Sequence, residues 1–266
     1  MNRKEFYASL RKKNSGVFGT ALSSHQVATM ESILDQMQGK PIEHIAYTLA
    51  TAYHEPGPRS RMVPNRESLY YSSASRIRQV WPSRFSSTSA AAPYARNSKK
   101  LANKVYNGRL GNRNGTDDGF NYRGGGLDHL TGRAHYQTET KRQGIDLVGN
   151  PNLILAADVA VSSLVHGMTT GRYRRHKLSD YGKGGKYDYV AARNIVNADS
   201  RTNGPMIAKY AYAFERSLRA AGYDASSNPT QPQFVDYAPV RRGNNRPSVA
   251  EAFLAMIASL IRGNRA

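Results

Sequence analysis

Cysteine is absent from this 266-residue sequence, and its absence limits both stability and chemistry. A chain without cysteine forms no disulfide bonds, has no thiolate metal ligands and uses no cysteine nucleophile. Apolar residues make up 39% of the chain. A chain of this length can bury roughly three quarters of its unfolded surface around one core. Packing must therefore supply the stability, and one main domain is expected.

Acidic residues are also scarce. The sequence has 19 Asp and Glu against 38 Lys and Arg, which gives a formal net charge of +19. Such a charge attracts polyanions, of which nucleic acid, anionic lipid and the bacterial envelope are candidates. No acidic residue occurs from Ser68 to Thr116. The basic residues of that stretch, which together predict a basic face, are Arg76, Arg78, Arg84, Arg96, Lys99, Lys100, Lys104, Arg109 and Arg113.

Long apolar runs are missing as well. No run reaches the roughly 18 residues expected of a membrane-spanning helix. The N-terminal sequence MNRKEFYASLRKKNSG is charged and no apolar stretch follows it, so we expect no secretory signal peptide. These features predict a chain that starts in the cytoplasm and is soluble or at most associated with a surface.

Helical periodicity dominates, and it predicts a mainly α fold. One amphipathic helix is expected after a Ser24 N-cap and a second after Pro41, with an apolar stripe that ends before the Pro56-Gly57 breaker. Strand-like alternation is rare. The segment 107–126 is too rich in Gly and Asn to be helical, so we expect a long functional loop or a short hairpin there.

The pattern divides the chain into three parts. Residues 1–225 are expected to form the main domain, and residues 226–247, rich in proline and without periodicity, a linker or a surface strap. Residues 248–266 predict an amphipathic helix, with Ser248 and Glu251 at capping-box spacing. That helix either packs on the protein's own core or a partner chain, or binds an anionic outer-membrane surface.

Glu55 combines two features of a proton donor. It follows an apolar helical stripe directly and precedes Pro56, so the helix should end here with Glu55 at its C-terminus. Partial burial and the negative end of the helix dipole would both raise the pKa of this carboxyl, as general acid catalysis requires. An ordinary solvated glutamate at a helix end is the alternative.

Four segments, in order, resemble glycoside hydrolase family 19, in particular its phage-type endolysins. These segments are AYTLATAYHEPG, VPNRESLYYSSASRIRQVWPSRF, LANKVYNGRLGNRNGTDDGFNYRGGGLDHLTGRAHY and KYDYVAARNIVNADSRTNG. The resemblance covers roughly residues 25–222. It implies a lysozyme-like α-helical domain with long loops and at most a small β-hairpin.

The resemblance also implies a catalytic pair. Glu55 matches the family's general acid and Glu67 its general base. The acid protonates the leaving oxygen while the base activates a water on the opposite face of the sugar, so the configuration inverts, and the carboxyls stand about 6.5–9.5 Å apart. The prolines between the two glutamates should force the loop that this spacing requires.

Further residues match positions around that pair. Thr131 matches the hydroxyl residue that holds the nucleophilic water, although it could instead cap the helix that carries His135. Asn197 matches a sugar-binding asparagine, or caps its own helix end. The sequence departs from the family pattern at Gly125, usually an arginine, and at Asp128-His129.

The remaining candidate contacts each have a structural alternative. Tyr122 either stacks on a sugar ring or packs in the core. Arg123 either pairs with a site carboxylate and keeps it ionised, or forms a surface salt bridge. His129 either binds sugar or pairs with Asp128. His135 is a further candidate for substrate binding.

No cofactor or metal is expected, because the seven histidines have no ligand spacing and no phosphate loop is present. GKGGK at residues 182–186 should be a turn. The charge favours anionic peptidoglycan over uncharged chitin as the partner, and no nucleic-acid motif is seen. Chitinase, lytic transglycosylase and a non-catalytic envelope-binding module remain alternatives. The endolysin resemblance implies synthesis in a host cytoplasm before release to the wall, or incorporation into a virion.

Overall fold

The computed structural model describes residues 1–225, and its helices confirm the mainly α prediction. The α-helices of this part of the chain are α1 (Arg3–Leu10), α2 (Ser24–Gln36), α3 (Ile42–His54), α4 (Ala74–Val80), α5 (Thr88–Ala91), α6 (Ser98–Tyr106), α7 (Asp118–Asn121), α8 (Arg133–Gln143), α9 (Ala157–Thr170) and α10 (Gly204–Ala220). The predicted linker 226–247 and terminal helix 248–266 lie outside the described residues. The domain boundary at residue 225 stays a prediction.

Helices α2 and α3 form from local signals in the sequence. The N-cap of α2 is Ser23, one residue before the predicted Ser24, because the Ser23 hydroxyl accepts from the Gln26 N–H and the Gln26 side chain accepts from the Ser23 N–H. Gly39 then adopts a φ of +73°, which a glycine tolerates without strain. Pro41 supplies the N-cap position of α3, as predicted.

Helix α3 lies at the centre of the largest of three hydrophobic clusters. Its residues from Ile45 to Tyr53 are all buried, and α10, α2 and α9 pack against it. A second cluster joins α4, α5 and α6, and a third lies around Tyr136 at the start of α8. Because α3 is enclosed along its length, its C-terminal end is a firmly held platform for the residue that follows it.

Two antiparallel strand pairs accompany the helices. Strands β1 (Asn65–Arg66) and β2 (Gly125–Gly126) pair across the fold, while β3 (Gly182–Lys183) and β4 (Lys186–Tyr187) form a hairpin at the GKGGK turn. The segment 107–126 therefore forms its strand pair with a distant segment rather than within itself. It also contains the single-turn helix α7, which was not predicted from its Gly-rich and Asn-rich composition.

None of the helices within residues 1–225 combines the length and the apolar character needed to cross a bilayer. All nine basic residues between Ser68 and Thr116 are exposed. Lys99 pairs with Asp117 and Arg113 with Asp118, and the other seven form no ion pair within the described chain. This lobe therefore presents mostly uncompensated positive charge.

Candidate active site

Glu55 stands at the C-terminal end of α3. The helix ends at His54, and the Glu55 N–H donates to the Thr51 carbonyl at 2.9 Å. Its side chain is 21% exposed, so the predicted helix end and the predicted partial burial are both confirmed. The Glu55 carboxylate accepts a hydrogen bond from Arg193, a partner that the sequence argument did not include.

Arg193 is shared between two carboxylates. It is 4% exposed, and its guanidinium donates to Asp199 as well as to Glu55. Burial lowers the pKa of Arg193, but the hydrogen bonds to Asp199 and Glu55 outweigh burial and raise it. The hydrogen bonds from Arg193 lower the pKa of Asp199. Arg193 is therefore paired with Asp199 as well as with Glu55, so its buried charge does not depend on Glu55 alone.

Arg193 lies within KYDYVAARNIVNADSRTNG, where the sequence argument selected Asn197 instead. The Asn197 side chain is exposed, and it accepts from the Ala198 N–H at 2.8 Å. The contact of Asn197 with sugar stays a prediction. Within residues 1–225 its side chain bonds only to the backbone of the next residue. A basic residue within a quoted family segment was the signal that could have identified Arg193.

The chain after Glu55 makes a closed loop, as the prolines predict. The Met62 N–H returns to the Ala52 carbonyl at 3.2 Å, and the Asn65 side-chain amide donates to the Pro56 carbonyl at 2.9 Å. This second bond ties the residue next to Glu55 to strand β1. Glu67 follows β1 directly, so Asn65 links the two candidate catalytic segments.

Glu67 is positioned by the paired strands. Its N–H donates to the Gly124 carbonyl at 2.9 Å, which continues the β1–β2 pairing by one residue. The approach is close, because a Cβ added at Gly124 would stand 3.3 Å from the Glu67 Cβ and 3.2 Å from the His129 Cβ. Glu67, Gly124 and His129 are therefore neighbours.

Tyr106 is the hydrogen-bond partner of the Glu67 carboxylate. Its hydroxyl at the end of α6 lies 2.9 Å from Oε2 and 3.2 Å from Oε1. Burial, and then the charge of Glu67, raise the pKa of Tyr106, so the phenol stays protonated and donates. Reasoning from the sequence missed this residue, although it lies in the quoted segment that begins LANKVY.

Replacing Tyr106 by phenylalanine should lower kcat without unfolding the protein. A hydrogen bond to a charged group contributes about 1.5–3 kcal/mol, which corresponds to roughly a 10- to 150-fold loss if the bond is needed in the transition state. Turnover on a soluble glycan measures the effect. Tyr94→Phe is the matched control, because the Tyr94 hydroxyl forms no hydrogen bond within the described residues and its ring packs on Phe85. Equal losses in both variants would contradict the assignment.

The His129 side chain contacts Asn65 rather than Asp128. Its Nε2 lies 3.1 Å from the Asn65 Oδ1, and because that oxygen only accepts, Nε2 carries the hydrogen. The residue has a φ of +50°, an uncommon conformation outside glycine. Asp128 instead pairs with Arg172, so the alternative of a His129–Asp128 ion pair is not formed.

Thr131 and His135 belong to one hydrogen-bonded turn. The Thr131 hydroxyl donates to the His129 carbonyl at 2.7 Å, and the His135 Nδ1 donates to the Thr131 carbonyl at 2.7 Å. Gly132 is the N-cap of α8 and has no side-chain cap, so Thr131 does not take the capping role offered as its alternative. Its only hydroxyl hydrogen is engaged, while its lone pairs can still accept from a water. His135 is exposed on the first turn of α8.

Two predicted substrate contacts, Tyr122 and Arg123, are engaged by the protein itself. Tyr122 is 5% exposed and donates its hydroxyl to the Val148 carbonyl at 3.0 Å, which agrees with the alternative that it packs in the core. Arg123 donates to the backbone carbonyls of Glu67 at 3.0 Å and Phe120 at 2.6 Å, not to a carboxylate. Burial and the nearby Arg66 lower its pKa. Arg123 thus holds the Glu67 backbone in place.

The structure leaves no room for a side chain at Gly125. An added Cβ would lie 2.6 Å from the Tyr136 hydroxyl and 2.8 Å from the Arg66 Nη1. Arg66 stands opposite Gly125 in the β1–β2 register and donates to that hydroxyl at 2.7 Å. Arg66 therefore provides the cation beside this position, and its side chain is directed to Tyr136 rather than to Glu67.

No group of three or more histidine, aspartate or glutamate side chains within residues 1–225 is arranged to hold a metal ion. Each of the two glutamates has a polar side-chain partner: Arg193 donates to Glu55, and Tyr106 donates to Glu67.

A curated protein of Haemophilus influenzae (strain ATCC 51907 / DSM 11121 / KW20 / Rd), named a glycosyl hydrolase family 19 domain-containing protein, is 35% identical to this chain over 103 residues. The similarity supports glycoside hydrolase family 19. The alignment covers 38% of this chain and 50% of the relative, so the chain spans about half the length of the curated protein it matches. No protein-family model matches the chain. A family 19 relationship agrees with the mainly α fold, and the endolysin type stays a prediction.

Proposed function

We propose that this protein cleaves the glycan strands of bacterial peptidoglycan by an inverting two-carboxylate mechanism, as an endolysin does. The observation that carries the proposal is the placement of Glu55 and Glu67 on two segments tied together by Asn65, each with its own polar partner. A general acid must be protonated and a general base ionised at the same pH, so the two glutamates need different surroundings. Their different partners, Arg193 for Glu55 and Tyr106 for Glu67, supply such a difference.

Glu55 acts as the general acid. Protonated Glu55 gives its proton to the glycosidic oxygen as the bond to the anomeric carbon breaks. The resulting carboxylate receives the Arg193 hydrogen bond, so negative charge that develops on Glu55 is stabilised as the reaction proceeds. Asp199 balances Arg193 before the transfer.

Glu67 acts as the general base. Its carboxylate takes a proton from the water that attacks the opposite face of the sugar, while the Tyr106 hydroxyl holds the carboxylate in orientation. Thr131 is the proposed second contact of that water, through its lone pairs. His129 and His135 are the proposed sugar contacts on the same side of the site, because both belong to the hydrogen-bonded turn around Thr131.

The electrostatics support an anionic polymer as substrate. The chain carries a formal charge of +19, and the lobe that supplies Tyr106 has seven exposed cations without an ion-pair partner in the described part. Peptidoglycan is anionic, whereas chitin is uncharged, so only peptidoglycan is attracted electrostatically to this positively charged surface. Chitin is the second candidate substrate. Release of the protein from a host cytoplasm to the wall, or its incorporation in a virion, completes the endolysin proposal.

Purified sacculi and chitin oligomers distinguish the substrates. We expect the full chain to release sugars with free reducing ends from sacculi, at a rate that falls as salt is raised, because added ions screen the attraction between exposed charges. Cleavage of chitin alone would refute the peptidoglycan substrate. Anhydro-sugar ends in the sacculus digest would refute hydrolysis in favour of a lytic transglycosylase.

A further inference from the structure

A cavity of about 580 Å³ opens between the β3–β4 hairpin and α10. Four tyrosines line it: Tyr181, Tyr187, Tyr189 and Tyr212. Its lining residues share no hydrogen bond or ion pair with Glu55, Glu67 or Thr131 within residues 1–225. The catalytic proposal therefore leaves this cavity without a role.

Tyr187 and Tyr189 are held in place by hydrogen bonds, whereas Tyr212 is exposed. Tyr189 is 2% exposed, stacks on Tyr47 of α3 and donates its hydroxyl to Glu215 at 2.8 Å. The Tyr187 hydroxyl donates to the Leu178 carbonyl at 3.0 Å. Tyr212 is 51% exposed, meets Tyr189 edge to face, and its hydroxyl forms no hydrogen bond in the described part of the chain. An exposed ring held against the buried Tyr189 is suited to pack against the apolar face of a sugar.

The hairpin adds two cations on one side of the opening. Lys183 and Lys186 pair directly across the strands, so their side chains leave the same face. Both are exposed and form no ion pair within residues 1–225. Like charges directly opposite each other destabilise a strand pair, and an anion between them would relieve that repulsion. Gly184 and Gly185, with φ of +57° and +74°, hold the turn that brings the two lysines together.

The two carboxylates of the cavity are already engaged by the backbone. Asp180 accepts from the Lys177 N–H at 2.9 Å, and Asp188 accepts from the Ala191 N–H at 2.9 Å. Each retains a second oxygen that can accept from a sugar hydroxyl. The cavity thus combines a ring face, hydroxyl acceptors and a lysine pair.

We propose that this cavity binds a carboxylate-bearing sugar, and that it holds a unit of the glycan strand through residues other than the catalytic pair. The ring face of Tyr212 packs on the sugar, and Lys183 and Lys186 bind its carboxylate. This assignment rests on the proposed function only in taking the peptidoglycan strand as the source of the acidic sugar.

The test measures binding of peptide-free glycan strands to the full chain carrying Glu55→Gln, which prevents cleavage. Two probes are used, the natural strand and a strand whose carboxylates have been reduced to alcohols. Tyr212→Ala should weaken binding of the natural strand by about tenfold, and Tyr212→Phe, which keeps the ring, should not. Lys183→Gln with Lys186→Gln should also weaken it by about tenfold.

The reduced strand isolates the carboxylate contact. Reduction should weaken binding to the parent more than to the Lys183→Gln/Lys186→Gln variant, since that variant has already lost the contact. Lys12→Gln with Lys13→Gln is the matched control, because it removes two exposed cations elsewhere and should behave as the parent. Equal losses on reduction in all three proteins would overturn the carboxylate assignment, and unchanged binding by Tyr212→Ala would overturn the site. Failure of the proposed function differs, because the unsubstituted chain would then not cleave sacculi.

Discussion

Replacing Glu55 by glutamine is expected to abolish measurable cleavage of sacculi, with kcat reduced by about 10²- to 10⁴-fold. The amide has nearly the shape of the carboxyl but cannot give a proton to the leaving oxygen. Its oxygen still accepts from Arg193, and Asp199 still neutralises that arginine, so the fold should be kept. The loss therefore reports on proton transfer rather than on packing. Sugar release under saturating substrate measures it.

Three comparisons make this result specific. Glu5→Gln on α1 is the matched control, because Glu5 is exposed and its loss should leave turnover unchanged. Binding of Glu55→Gln to sacculi should persist while cleavage is lost. This combination would exclude a protein that only binds the wall. Glu67→Gln should lower kcat about as much as Glu55→Gln does. Full activity of Glu67→Gln would point to a mechanism with one catalytic acid, and full activity of Glu55→Gln would remove it from the reaction.

The position of Glu55 could be predicted from the sequence because its causes are local. An apolar stripe followed by Glu-Pro determines both the helix and its end, and the structure confirms them. Its electrostatic partner could not be predicted in the same way. Arg193 lies 138 residues further along the chain, and only the packing of the fold brings the two together. The local sequence therefore predicts the helix end at Glu55 but not the cation that contacts its carboxylate.

The surroundings of Glu67 show the same limit. Strand β1 has two residues, too few for an alternating pattern, and its partner β2 consists of two glycines. Tyr106 reaches Glu67 across 39 residues, and nothing in the local sequence distinguishes it from the 17 tyrosines of the chain. Tyr122 was a predicted site residue for its place in a motif, yet the structure buries it. Motif membership identified the segment but not which side chain faces the substrate.

The second large effect is expected on stability, from a buried ion cluster that includes Asp128, the residue before His129. Arg172 donates to Asp128 and to Glu139, whose side chains are 0% and 1% exposed. Ser163 and Tyr173 also donate to Asp128, at 3.0 Å and 2.8 Å. The cluster joins the turn that carries His129 to α8 and α9. Asp128 departs from the family pattern, and these contacts give its charge a structural role.

The charges of this cluster depend on one another. Burial by itself raises the pKa of Glu139, but hydrogen bonds from Arg142 and Gln143 and the charge of Arg172 outweigh burial and lower it. Burial lowers the pKa of Arg172, and the charge of Asp128 leads the opposing effects that raise it. Removing Arg172 would leave Asp128, enclosed by the protein, with no cation beside it. An uncompensated buried charge is among the most costly defects that a single substitution creates.

Arg172→Met should therefore lower the free energy of unfolding by roughly 3–5 kcal/mol, the usual cost of removing one partner of a buried ion pair. Methionine keeps much of the apolar length of the side chain, so the change isolates the charge. Urea unfolding followed by circular dichroism measures it, with Arg174→Met as control, because Arg174 is exposed and forms no ion pair within the described residues. A decrease in the free energy of unfolding below about 1 kcal/mol would contradict the prediction, because exposed surface salt bridges contribute that little. Turnover below the melting transition should also fall, because Asp128 adjoins His129, and the His129 ring donates to Asn65, which ties the two candidate catalytic segments together.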